Sequence, residues 1–150
     1  MNRQELQKKI ISVFEKSRIQ IHDNEIISHH CEECNLLKSH FKNTEHLQLQ
    51  GDMIKAHFDS LPLLTPKALR YFFPNYLIYS LENPDSLVCE FTICQLIGSS
   101  VRDSPLSQFQ LFNHEELEVI KDFIVYLKNS EIYAEFQNEI DQTIETWEIH

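Results

Sequence analysis

The sequence predicts an all-α fold: a compact single-domain bundle of about six helices over residues 1–150, built around a proline-kinked central helix. Three observations predict it. Two glycines and five prolines are too few for the tight turns of a β-sandwich or barrel. Apolar residues recur at spacings of three and four along most of the chain, the signature of helices with one buried face. Ten phenylalanines, five tyrosines and one tryptophan supply a large core, and a chain of this length buries roughly 70% of its unfolded surface.

The first helix is expected from about Asn2 to Ser17, with Leu6, Ile10, Val13 and Phe14 as its buried stripe and Lys8, Lys9, Glu15 and Lys16 opposite. In residues 18–30, Ile19, Ile21, Ile26 and Ile27 pack either a loop or a short strand, and Asp23-Asn24 reads as a turn. A short helix follows from near Cys31 to about Lys42, with Cys34, Leu37 and Phe41 on one side. Gly51-Asp52 marks a break, and a helix from about Asp52 to Ser60 carries Met53, Ile54, His57 and Phe58.

Thr65-Pro66 is a helix start with a reason for each residue. The threonine hydroxyl accepts from a free first-turn N–H, and proline suits the first helical position. The helix is expected to reach about Leu81, and Leu69, Tyr71, Phe72, Phe73, Tyr76, Leu77, Ile78 and Leu81 make it apolar nearly all round. Such a helix belongs at the centre. Pro74 removes a backbone donor and predicts a kink, with either a simple bend or a polar pocket beside Arg70 and Tyr71. Asn83-Pro84-Asp85 ends it. The next helix spans about Ser86 to Ile97, and Gly98 suits the position just beyond its end. Residues 99–112 read as a loop anchored by Phe109, Leu111 and Phe112. Asn113 caps a helix with Glu115 and Glu116 in its first turn, where the helix dipole favours acids, and with Leu117, Ile120, Phe123, Ile124 and Leu127 facing inward. The last helix is expected from about Glu131 to Trp147, with Tyr133, Phe136, Ile140, Ile144 and Trp147 on one face.

The net charge of -10 is unevenly placed. Residues 113–150 hold ten acids and two bases, a net of -8, against -2 for residues 1–112. Such a field repels nucleic acid and anionic membranes and attracts a basic partner; solubility alone is the plainer reading. No apolar run reaches the roughly 20 residues of a membrane span, and the N-terminus MNRQELQKKIISVF lacks the apolar stretch of a signal peptide, which predicts a cytoplasmic protein. Four cysteines in that setting are thiols or metal ligands before they are disulfides.

Two constellations carry candidate chemistry. His30, Cys31 and Cys34, within H-C-E-E-C, form a half-site for zinc, the one cofactor the residues suggest. A structural site needs further ligands, and Cys89 and Cys94, five apart on a helix, do not chelate together easily. The plainer reading of the same cysteines is thiols packing at a helix start. The second constellation is the acidic end: Glu131, Glu135 and Glu139 repeat at i, i+4, with Asp141 beside them, on a solvated face or a docking face for lysines and arginines. The remaining histidines are scattered, and no nucleotide-binding or hydrolase motif is present, so no catalytic residue is assigned.

His30-Cys31-x-Glu33-Cys34 followed by Leu61-Pro62-Leu63-Leu64-Thr65-Pro66-x-Ala68-x-Arg70-Tyr71-x-x-Pro74-x-Tyr76-Leu77 resembles a bacterial family of small helical proteins of unestablished activity. Lys67 stands where that family usually has Glu, and Leu69 where it has Phe. The resemblance is close over 61–77 and loose over 28–128. It implies a helical bacterial protein and carries no catalytic residue across. The leading functional expectation is a non-enzymatic acidic binding module, an immunity protein that neutralises a basic toxin domain. The alternative is a zinc-binding regulatory or enzymatic protein.

Overall fold

The computed structural model describes residues 1–98 and 107–150; the loop expected from residue 99 onward lies, as far as residue 106, outside the described residues. Seven α-helices form the described chain: α1 (Arg3–Lys16), α2 (Glu32–Phe41), α3 (Gly51–Ala56), α4 (Pro66–Glu82), α5 (Leu87–Ile97), α6 (His114–Lys128) and α7 (Gln137–Thr146). Short 3-10 turns lie between them, and no strand is present among the described residues. The all-α expectation holds. The Ile26-Ile27 segment, left open between loop and strand, forms one isolated antiparallel bridge, Ile27 to Leu64.

Local chemistry fixes the helix starts. Asn2, Thr65, Ser86 and Asn113 each cap a helix by accepting the backbone N–H three residues on. At α6 the cap is reciprocal: Asn113 Oδ1 accepts from Glu116 N at 2.8 Å, and Asn113 N donates to Glu116 Oε1 at 2.7 Å. Gly98 ends α5 with φ 95°, a conformation that favours glycine.

The α4 helix is the centre of the bundle, as its all-round apolarity predicts. It packs on α1, α3 and α5, while α6 and α7 close the other side by packing on α1, on α5 and on each other. It stays helical through Pro74 to Glu82, and Phe72, Phe73, Tyr76 and Leu77 are fully buried. Its polar atoms tie down the irregular chain before it. Tyr71 Oη donates to Thr44 O at 2.7 Å, Tyr76 Oη to His57 O at 2.8 Å, and Asn75 Oδ1 accepts from Leu49 N at 3.2 Å. Buried backbone without regular structure needs such partners.

Three details differ from expectation. Val119 is buried where Leu117, only half-buried, was expected. The helix expected over Asp52–Ser60 ends at Ala56, with His57 as its C-terminal boundary. The continuous last helix is replaced by a 3-10 turn, Glu131–Ala134, and a separate α7 that begins after Phe136, whose φ of -117° and ψ of 36° leave the helical range.

Candidate functional site

The structure sorts the acidic end into two halves. On α6 three carboxylates are taken by bases from elsewhere in the bundle, Glu115 by Lys16 at 3.3 Å, Asp122 by Lys9 and Glu116 by Arg70 at 2.9 Å, and Glu118 pairs with Lys121 of the same helix at 3.5 Å. Beyond α6, among the described residues, only Asp141 is paired. Lys128 Nζ donates to its Oδ1 at 3.0 Å and Tyr133 Oη donates to the same oxygen at 2.8 Å. The Tyr133 hydroxyl and Lys128 hold the Asp141 carboxyl below the usual carboxylate range. Asp141, expected as a docking residue, is bonded to the end of α6 and to the turn before α7.

Glu131, Glu135 and Glu139 were expected as one helical stripe. The break at Phe136 divides them. Glu131 and Glu135 lie on the 3-10 turn side, where with Asp85 they line a cleft of about 420 Å³ floored by Ser80, Leu81 and Ile132. Glu139, on α7, faces α5, where with Glu90 it contributes to raising the Cys94 thiol after burial, the larger cause. None of Asp85, Glu131, Glu135 and Glu139 is in an ion pair among the described residues. Asp85, contributed by the turn after α4, was not anticipated as part of this set. Its distance in sequence from Glu131 hides the relationship.

At the start of α2 the structure places Cys31 as the helix cap. Its Sγ accepts from Cys34 N at 3.2 Å; Cys31 is exposed and Cys34 is buried. Donation from the Cys34 thiol, then from the Cys34 amide, lowers the Cys31 thiol from its ordinary value, and the Cys31 sulfur correspondingly raises Cys34. Among the described residues no three His, Cys, Asp or Glu side chains, His30, Cys31 and Cys34 included, are placed together to hold a metal.

The polar pocket beside Arg70 and Tyr71, the alternative to a simple bend at Pro74, is not formed by the two residues together. Tyr71 lines an open cleft of about 540 Å³ with Arg18, His22, Glu45 and His46. Arg70 instead turns to Glu116. Two buried histidines lie near this side of the bundle. His46 Nδ1 has no hydrogen-bond partner among the described residues. His57 Nε2 stands 2.7 Å from His40 Nδ1, and its Nδ1 is 3.3 Å from Ser60 Oγ. Burial lowers both His46 and His57, with Arg18 adding to the first and His40 to the second. Ser60 and His57 are buried, and His40 at the other end of the row is half-buried.

No family model, curated protein or solved structure matches the chain. No helix among the described residues is long and apolar enough to cross a membrane.

Proposed function

We propose that this chain is a non-enzymatic acidic binding module, a bacterial immunity protein acting in the cytoplasm by docking on a basic toxin-type partner. One observation carries the reading: Asp85, Glu131 and Glu135 surround a single cleft without an ion pair among the described residues, while the neighbouring acids of α6 are neutralised within the bundle. Carboxylates lining one cleft attract an entering guanidinium or ammonium group, which can form charge-assisted hydrogen bonds there. The surrounding excess of negative charge steers a basic partner toward the same face. The apolar floor of Leu81 and Ile132 suits the aliphatic stem of an arginine or lysine.

The test is capture from extracts of the source organism on immobilised protein, parent against a Glu131→Lys/Glu135→Lys variant. A basic protein retained by the parent and lost by the variant supports the reading, and toxicity of that protein, relieved by co-expression of the parent, completes it. Equal retention on both surfaces contradicts it. The zinc alternative rests on Cys31 and Cys34 lying together at the start of α2, and needs ligands from outside that turn.

A further inference from the structure

The start of α2 carries a second chemistry, independent of the acidic cleft. We propose that Cys31 and Cys34 form a thiol–disulfide exchange pair in which Cys31 attacks a small open-chain disulfide and Cys34 resolves the product. The assignment follows from position and exposure. Cys31 is the N-cap of α2 and Cys34 the third helical residue, so the Cys31 sulfur sits 3.2 Å from the Cys34 amide nitrogen. The Cys34 sulfur hangs three bonds from that nitrogen. Residues in this relation meet the ~4.4–6.8 Å Cα separation of a disulfide without moving the backbone.

Exposure then separates the roles. Cys31 is open to solvent, and an external disulfide can reach it. Cys34 is 1% exposed and packs in the core with Leu37 and Phe41, so an external disulfide is kept from it while the Cys31 sulfur lies beside its own amide. The amide at the Cys31 sulfur and the positive end of α2 stabilise negative charge on that sulfur as it attacks and as it leaves; Glu32 and Glu33 in the same turn oppose them. The other two cysteines provide a contrast within the molecule. Cys89 is buried and Cys94 exposed, five residues apart on α5, and Cys94 has no thiol neighbour at helix-turn spacing.

The chemistry balances without a cofactor. The Cys31 thiolate attacks one sulfur of RSSR, forming Cys31–S–SR and releasing RS⁻. The Cys34 thiol gives its proton to solvent and attacks Cys31 Sγ, expelling a second RS⁻ and closing the Cys31–Cys34 bond. The two protein thiols are oxidised, and the disulfide is reduced to two thiols.

The experiment uses the full reduced chain, freed of reductant and treated with glutathione disulfide, then alkylated and mapped by mass spectrometry. Expected is a Cys31–Cys34 disulfide, with Cys89 and Cys94 alkylated as free thiols. Cys34→Ser should instead accumulate the glutathione adduct on Cys31, and Cys31→Ser, which keeps a good cap, should form neither product. On brief iodoacetamide treatment Cys31 should react about tenfold faster than Cys94. A parent chain that retains the adduct on Cys31, or a Cys31 that reacts no faster than Cys94, overturns the proposal. Circular dichroism of both variants separates lost chemistry from lost fold.

Discussion

Arg70 Nε donates to both carboxylate oxygens of Glu116, at 2.9 and 3.3 Å, in a part-buried contact that joins α4 to the first turn of α6. The same carboxylate accepts from Ser17 Oγ at 2.8 Å and from Asn113 N at 2.7 Å. Its side chain is 1% exposed, against 20% for Arg70. One acid thus caps α6, ends α1 and anchors the central helix. Removing one member of a buried charge pair leaves the other uncompensated, which costs about 3–5 kcal/mol, whereas replacing both by apolar groups of similar volume is close to neutral. Glu116→Ala should therefore lose about 3 kcal/mol or more in chemical denaturation, and Arg70→Met with Glu116→Leu should lose less. A single-variant loss below about 1 kcal/mol contradicts the account.

That pairing marks the limit of what is legible in the sequence. The start of α6 is readable because Asn113 and the acids after it stand in one turn, and the N-x-x-E spacing of Asn113 and Glu116 is the signal for the reciprocal cap. The partner of Glu116 is not readable, because Arg70 lies 46 residues away and only the packing of α4 on α1 and of α1 on α6 brings the two together. The Thr65-Pro66 start and the buried α4 were readable for the same local reason. The break before α7 was not: Tyr133, Phe136 and Ile140 keep helical spacing across it, and neither glycine nor proline marks it. The docking stripe was drawn across that break. Asp141 was assigned to the stripe although its bonds to Lys128 and Tyr133 depend on the turn that the break creates.

The buried histidines set an acid limit. In the folded chain burial lowers His46 and His57 below the usual histidine value, so the unfolded chain binds protons first as pH falls. Stability therefore declines once pH drops below about 6.5 and toward the lowered folded values. The melting temperature should fall between about pH 7.5 and about pH 5.5, and His46→Phe should flatten part of that slope. Glu25 and Asp141, whose carboxyls are lowered by Lys67 and by Tyr133 with Lys128, contribute a separate loss that begins only near the ordinary carboxylate range, at about pH 4. A flat melting temperature across the upper window contradicts the histidine account.

Charge reversal should distinguish the two kinds of acid. Glu131 and Glu135 are exposed and without an ion pair among the described residues, so changing both to Lys should shift unfolding free energy by no more than about 0.5 kcal/mol. Asp141→Lys meets Lys128 directly and should lower the melting temperature relative to that double variant. Equal effects would show that Asp141 does not fasten α7.

Metal removal supplies a further check. With Cys31 and Cys34 the only thiols at the start of α2 and no trio of ligands placed among the described residues, dialysis against a chelator should leave the melting temperature unchanged. A marked fall, restored by zinc, would favour the zinc reading of His30, Cys31 and Cys34.

The acidic cleft is tested most directly by the association rate of a captured basic partner, measured against salt concentration. Surface charges separated by more than about 8–10 Å are screened near physiological ionic strength, so steering by Asp85, Glu131, Glu135 and their neighbours should be strong at low salt and weak at high salt. The account predicts an on-rate for the parent that falls about tenfold or more from low to high salt. It predicts that the Glu131→Lys/Glu135→Lys variant starts near the high-salt rate and changes little. A variant that associates as fast as the parent at low salt would contradict the central claim and return this cleft to the status of solvated surface.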